Sequence, residues 1–196
     1  MKFFKTVLFA LAILSFSSAS QAAVYQVDAD HTTVSFKIRH LFSKVQGNFK
    51  KYEGTLEYEP GKPETWNASG TIDVNSIDTN VPERDKHLKS ADFFDVEKFP
   101  TISFKTTKVV ESSETNAKLE GLLTMHGVEK PVLLDVDILG VGKDPWGNVR
   151  ASFTVKTQIS RKDFGIVWNE KLESGGVLLG EEIDIILEVE GIQKKA

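Results

Sequence analysis

The sequence predicts an all-β fold in which antiparallel strands bury their apolar faces against one another. Three observations support this prediction: about eight segments alternate apolar and polar residues, turn residues separate most of these segments, and only one segment has a helical pattern. Because no long helix is available to cover a sheet, the apolar faces must meet each other. A β-sandwich and a closed barrel both satisfy this requirement.

The predicted strands share a period of two residues. In the first of them Val34, Phe36 and Ile38 lie on one face, and the residues between them are polar or charged. The same alternation recurs at residues 55–59, 66–74, 101–105, 119–125, 132–138, 148–159 and 182–190. Strands with one apolar and one wetted face are typical of antiparallel sheets. Turns are predicted at Pro60-Gly61, His126-Gly127, residues 142–147 and Gly175-Gly176.

Residues 80–94 interrupt the alternation and are predicted to form a helix. Asn80 is the predicted N-cap, Pro82 fits the first turn, and Glu83 occupies the position that a capping box requires. Asp85 and Lys89 are four residues apart, so they are predicted to pair on the helix surface.

The first 22 residues have the order of a secretory signal peptide. Lys2 and Lys5 precede an apolar run at residues 6–16, and small and polar residues lead to a predicted cleavage site after Ala22. The run is shorter than the ~20 apolar residues of a transmembrane helix, and no cysteine follows it to carry a lipid anchor. We therefore predict a bacterial periplasmic protein with no transmembrane anchor and with its mature domain at residues 23–196.

Composition restricts the partners of the mature domain. Removing the two leader lysines from the 24 basic residues leaves 22 against 28 acidic residues, which gives a net charge of −6. Nucleic acids and anionic membrane surfaces require clustered basic residues, so neither is a predicted partner. The sequence contains no cysteine, which excludes disulfides, thiol nucleophiles and thiolate metal sites.

The size of the inward side chains decides whether an eight-stranded barrel is filled or hollow. Small residues occur near the middles of predicted strands at Ala68, Gly70, Gly121, Ala151 and Thr157. They leave room for a ligand, unless large neighbours fill the core and the glycines serve only curvature. Most inward faces lack charged residues, so a cavity would suit an alkyl or isoprenoid chain.

Several motifs cover the mature chain in order. They are DTNVPERDKHLKSADFF at residues 78–94, FPTISF at 99–104, LLTMHGVEKPV at 122–132, DPWG at 144–147, RKDFG at 161–165 and VEG at 189–191. In these motifs the chain resembles the YceI-like family. The resemblance implies an extended, eight-stranded, antiparallel lipocalin-like barrel with one or two short helices. It also implies a polyisoprenoid or similar long-chain lipid as ligand, a homodimer, and no established enzymatic activity.

Sixteen apolar residues are predicted to line the ligand site. They are Phe36, Ile38, Ala68, Gly70, Ile72, Phe93, Phe94, Phe104, Leu123, Leu134, Ala151, Phe153, Phe164, Trp168, Ile185 and Leu187. Arg84 and His87 share a helix face and are the predicted contacts of a polar head group. The alternative is that Arg84, Asp85 and Asp92 fix the helix to the barrel through buried ion pairs.

The sequence carries no recognisable catalytic or metal-binding motif. His31, His40, His87 and His126 are scattered and form neither HxH nor HExxH, so no metal and no cofactor are predicted. GxSxG and glycine-rich phosphate loops do not occur either. We therefore predict a non-catalytic lipid-binding protein of the periplasm. An uncharacterised hydrolase or isomerase acting on a lipidic substrate, and a stress-related structural protein, are the alternatives.

Overall fold

The computed structural model describes residues 22–173 and 175–195, and within them it contains eleven strands, one α-helix and three short 3-10 helices. The strands are β1 (Ala23–Val27), β2 (Thr33–His40), β3 (Ser43–Phe49), β4 (Tyr52–Tyr58), β5 (Asn67–Asp73), β6 (Ile77–Asp78), β7 (Thr101–Ser112), β8 (Asn116–Met125), β9 (Val128–Lys143), β10 (Val149–Ser160) and β11 (Leu179–Gln193). The α-helix α1 spans Pro82–Lys89, and the 3-10 helices span Pro63–Thr65, Val74–Ser76 and Arg161–Phe164. The predicted signal peptide lies almost wholly outside the described residues.

Eight strands close into an antiparallel barrel, which confirms the predicted fold class. The ring runs β1-β4-β5-β7-β8-β9-β10-β11 and closes where β11 returns to β1, with Tyr25 opposite Gln193. The rest of the same edge of β11 pairs with β2, where Val34 lies opposite Leu187. Strands β3 and β6 extend the sheet beyond β2. The ring therefore has the predicted number of strands, but β1 belongs to it and the predicted first strand, β2, lies beside it.

The pairing register explains why the alternating residues share one interior. Phe36 lies opposite Ile185, and Ile38 lies opposite Ile183, on adjacent antiparallel strands. Residues directly opposite one another project to the same face of the sheet. Each apolar position of β2 therefore meets an apolar position of β11, on the face that continues the interior of the barrel.

The buried apolar residues form two clusters at opposite ends of the long strands. The helix-side cluster contains Val34, Phe49, Val74, Ile77, Phe93, Ile102, Met125, Ile159, Phe164, Ile166 and Leu179, with Leu88 of α1 packed against it. The tyrosine-side cluster contains Tyr25, Tyr58, Ala117, Leu134, Val136, Ala151 and Phe153. Along β10, Ala151 and Ile159 belong to different clusters, so the strand connects the two sides.

Helix α1 is present but shorter than predicted. Val81, not Asn80, occupies the N-cap position, so the predicted capping box is wrong. Asn80 has a positive φ of 61° and its backbone N–H donates to Asp78 Oδ1 at 2.8 Å. This turn directly precedes the helix. The helix ends at Lys89, five residues before the predicted end at residue 94.

The connection between the barrel and α1 depends on Thr79 and Asp85. Asp85 Oδ1 accepts hydrogen bonds from the Thr79 backbone N–H at 2.9 Å and from Thr79 Oγ1 at 2.5 Å. Asp85 therefore does not pair with Lys89 as predicted, because it satisfies the backbone just before the helix instead. In the described part of the chain no helix is long and apolar enough to cross a bilayer.

An ion-pair cluster around Arg150 joins three segments on the tyrosine side. Its guanidinium donates to Asp144 Oδ2 at 2.8 Å, to Asp28 Oδ2 at 2.7 Å and to Glu190. These contacts connect the β9–β10 hairpin, the end of β1 and β11. The Arg150 guanidinium lowers the pKa of Asp144 and that of Asp28 below the ordinary value for aspartate.

Candidate ligand-binding cavity

The barrel encloses a cavity of about 640 Å³ that extends from one buried cluster to the other. Phe49 and Met125 line it on the helix side, and Tyr58 and Phe153 line it on the tyrosine side. Ligand pockets in proteins typically measure ~300–1,000 Å³ and are lined mainly by apolar and aromatic side chains. The interior is therefore hollow, and its size suits a small ligand.

Most of the predicted apolar site residues lie in the cavity wall. These are Phe36, Ile38, Ala68, Gly70, Ile72, Phe93, Phe94, Phe104, Leu123, Leu134, Phe153, Trp168, Ile185 and Leu187. The strand residues among them follow the alternation, which places one face of each strand inside, whereas Phe93, Phe94 and Trp168 lie in connecting segments. Their contact with a ligand remains a prediction.

Ala151 and Phe164 lie outside the cavity lining, contrary to prediction. Ala151 faces the interior but is 0% exposed, because it is packed within the tyrosine-side cluster. Phe164 lies in the 3-10 helix beyond the end of β10 and is buried in the helix-side cluster. Parity alone predicts the direction of a side chain but does not show whether its neighbours leave space beside it.

Arg84 borders the cavity and is anchored to a neutral partner. Its Nε donates to Thr79 Oγ1 and its Nη2 donates to the Thr79 carbonyl, both at 2.8 Å. Across residues 22–173 and 175–195 it forms no ion pair, and Asp85 contacts Thr79 instead. The alternative in which Arg84 fixes the helix through buried ion pairs with Asp85 and Asp92 is therefore wrong.

His87 lies at the same border of the cavity, between two aromatic rings. Its ring centroid is 5.0 Å from that of Phe93 and 5.0 Å from that of Trp168, with nearly perpendicular planes in both pairs. Its Nε2 lies 2.8 Å from Asp92 Oδ2. The predicted face of α1 thus meets the cavity, and aromatic contacts hold His87 in place.

Arg161 also lines the cavity, and the sequence argument did not single it out. It follows β10 directly and is 1% exposed, which makes it one of the most buried side chains of the described chain. The available signal was a charged residue within the RKDFG motif, directly after a strand of regular alternation. That motif is one of those that carry the family resemblance, but it does not indicate that its arginine is buried.

Asp28, His31 and Glu190 place three potential metal-ligand atoms within 4.8 Å of one another. Arg150 donates to both carboxylates, and His31 Nδ1 lies 2.8 Å from Asp28 Oδ2. Both carboxylates of the cluster therefore already pair with Arg150, and the geometry is that of an ion-pair network.

The closed ring and its apolar cavity define a lipocalin-like barrel. The YceI-like domain model matches residues 25–191, and the chain belongs to this family. Protein YceI of Salmonella arizonae is 40% identical over 191 residues, which cover 95% of this chain and 96% of that protein. The predicted resemblance is therefore confirmed.

Two solved structures extend the comparison. The Campylobacter jejuni YCEI protein is 32% identical, with a TM-score of 0.68 and coverage of 81% of this chain and 91% of that chain. A polyisoprenoid binding domain from Saccharophagus degradans has a TM-score of 0.63 at 14% identity, with coverage of 89% of this chain and 100% of that chain. At that identity the second likeness concerns the fold alone.

Proposed function

We propose that this protein is a non-catalytic carrier that holds a long-chain amphiphile, a polyisoprenoid or a similar lipid, inside its barrel. The observation that carries the proposal is the cavity of about 640 Å³ with its predominantly apolar lining. The related fold of a polyisoprenoid binding domain supports the same ligand class. Burying one methylene group contributes about 0.8 kcal/mol, so affinity should rise steeply with chain length.

The polar end of the amphiphile belongs on the helix side of the cavity. An unpaired polar group buried among apolar side chains costs about 1–3 kcal/mol, so the head group needs polar partners. Arg84 and His87 border the cavity on this side and are the proposed head-group contacts. The apolar chain would then extend toward Tyr58 and Phe153.

Export and assembly complete the proposal. Residues 1–22 would direct the chain to the periplasm and be removed, and residues 23–196 would act there as the carrier. The mature protein would form a homodimer. Intact mass and light scattering of protein isolated from the periplasm test these points, since both cleavage and dimerisation change the measured mass.

Lipid extraction from the native protein tests the function directly. The protein is purified from its own periplasm without detergent and extracted with organic solvent, and the extract is analysed by mass spectrometry. We expect one intact long-chain amphiphile per chain. Shortened or isomerised products would instead favour a hydrolase or isomerase, and an empty cavity would favour a structural role.

A further inference from the structure

Arg161 is a buried cation whose hydrogen bonds all reach neutral groups. Its Nε donates to the Gly180 carbonyl at 2.9 Å, and its Nη1 donates to the carbonyls of Ile166 and Trp168, both at 2.8 Å. Backbone carbonyls satisfy donors but carry no net charge. A buried charge is normally paired with an opposite charge, because leaving it uncompensated is costly.

No carboxylate of the described residues lies within ion-pair distance of Arg161. The acidic group that acts on it most is Glu181, which is half exposed and pairs with Lys162. Burial lowers the pKa of the Arg161 guanidinium, since it disfavours the charged form. An arginine side chain nevertheless keeps its proton at neutral pH, so the positive charge remains.

The second nitrogen of the guanidinium fork supplies an independent observation. Nη2 of Arg161 is buried and has no hydrogen-bond partner within the described chain. Buried donors are rarely left without an acceptor in folded proteins. Because Arg161 is also a lining residue of the cavity, a ligand in the cavity is the available source of that acceptor.

We propose that Arg161 binds an anionic oxygen, of a carboxylate or a phosphate, at the polar end of the amphiphile. This inference rests on the proposed function and adds to it the charge of the ligand and the depth of its head group. The planar guanidinium matches both oxyanions, and charge-assisted hydrogen bonds are stronger than neutral ones. A low-dielectric interior strengthens such a contact further.

The position of Trp168 places this site beside the proposed head-group contacts. Its carbonyl accepts from Arg161, and its ring meets the ring of His87. Arg161 is buried whereas Arg84 and His87 of α1 are half-buried, so the anionic oxygen would lie deeper than the rest of the head group. An acid and a neutral alcohol of equal chain length should consequently bind with different affinities.

The experiment compares two matched ligand pairs on delipidated protein. Dissociation constants are measured for hexadecanoic acid against hexadecanol, and for farnesyl phosphate against farnesol. We expect wild type to prefer one anionic member or both by roughly tenfold to hundredfold, and the pair that shows the preference identifies the oxyanion. Arg161→Gln should abolish the preference. The control Arg39→Gln removes an exposed arginine of β2 from outside the cavity and should retain it.

A measurement on wild type covers the case in which Arg161→Gln does not fold. Hexadecanoic acid labelled with ¹³C at the carboxyl carbon is bound, and its chemical shift is followed by NMR from pH 8 to pH 4. A carboxylate held by Arg161 should titrate below the pH at which the same acid titrates when its head group is in water.

The outcomes separate this inference from the proposed function. Equal binding within both pairs overturns the role of Arg161 and leaves the carrier function intact. Ordinary titration of the bound carboxyl does the same where hexadecanoic acid is the preferred anion. Failure of all four ligands to bind overturns the carrier function itself.

Discussion

The two sides of the barrel combine the same apolar interior with different polar groups. On the tyrosine side, Tyr58 packs on Trp66 and Phe153 with centroid distances of 4.9 and 5.0 Å, and the Arg150 ion pairs lie nearby. On the helix side, two arginines border the cavity. The contacts on the tyrosine side stabilise the barrel, whereas the arginines on the helix side place positive charge at the cavity wall.

This difference gives the cavity a direction. A ligand with one polar and one apolar end gains from both sides only when its polar end faces Arg84 and Arg161. Burial raises the pKa of Tyr25 and Tyr58, so their hydroxyls stay neutral at physiological pH and add no charge on the opposite side. The predictions below test this separation of stability from ligand chemistry.

The largest effect on stability is expected from the tyrosine side. Phe153→Ala removes a ring that is 8% exposed and packs edge-on against Tyr58. We expect the free energy of unfolding to fall by about 3–5 kcal/mol, as is typical of such truncations in cores. Trp168→Ala on the helix side should cost less, because Trp168 is only partly buried, but should weaken ligand binding more. Urea unfolding and binding isotherms measure both; equal losses of stability would contradict the separation.

The same enlargement at two alanines should give opposite outcomes. Ala151→Trp places a large ring where no space exists, and overpacking of this kind costs about 1–3 kcal/mol or more. Ala68→Trp projects into the cavity, so it should leave the melting temperature nearly unchanged while it excludes the lipid. Melting curves and lipid content are measured for both variants. Full lipid content in Ala68→Trp would show that the ligand does not reach this part of the wall.

Strand alternation predicted the antiparallel strands and their apolar faces, because a period of two sets which side chains share a face. The family resemblance implied that these strands close into a barrel. The alternation did not predict β1, β3 or β6. Strand β6 has only two residues, and the inward face of β3 carries Gly47 between Val45 and Phe49, so its apolar alternation is weak. Their pairing with neighbouring strands, such as that of Val45 with Ile38, defines them instead.

The candidate site divides in the same way. Residues whose role depends on parity, such as Phe36 and Leu134, were predicted to face the interior and do so. The sequence could not distinguish Ala151 from these residues, because the space beside a side chain depends on packing between distant strands. Arg161 was not predicted because its burial depends on carbonyls of residues 166, 168 and 180, which only the fold brings around it.

Acid should weaken the tyrosine side through the Arg150 cluster. The pKa values of Asp144 and Asp28 are lowered in the folded protein, chiefly by hydrogen bonds from Arg150. A lowered folded pKa contributes stability that is complete above the unfolded value of ~3.9 and is lost as the pH falls below it. Between pH 5 and pH 8 these groups should therefore cause no change in melting temperature.

The variant Asp144→Asn sharpens this test. It should melt below wild type at pH 7, because it loses one of the three charged partners of Arg150. Its melting temperature should fall less than that of wild type when the pH is lowered to 3. Thermal unfolding at pH 7, 5 and 3 measures the difference. An identical acid-induced decrease in the two proteins would assign the pH dependence to other carboxylates.

The smallest effect is expected at Arg84, and it concerns selectivity. Arg84→Gln removes hydrogen bonds to Thr79 but leaves the bonds from Thr79 to Asp85, so the start of α1 keeps its main anchor. Stability should fall by about 1 kcal/mol or less. Affinity for farnesyl phosphate should fall roughly threefold to tenfold, and affinity for farnesol should fall less, because a partly exposed cation contributes modestly to binding an anion.

The control for Arg84 is Lys86→Gln, which removes a positive charge from the exposed part of the same helix. If general attraction of the anion by α1 explains the selectivity, both variants should lose it equally. If Arg84 contacts the head group, only Arg84→Gln should change the ratio of the two dissociation constants. A large loss of stability in Arg84→Gln with an unchanged ratio would instead assign Arg84 to the scaffold that connects α1 to the barrel. Arg161 would then be the one proposed arginine contact of the ligand, and the head group would be bound by this buried residue and not by a residue of α1.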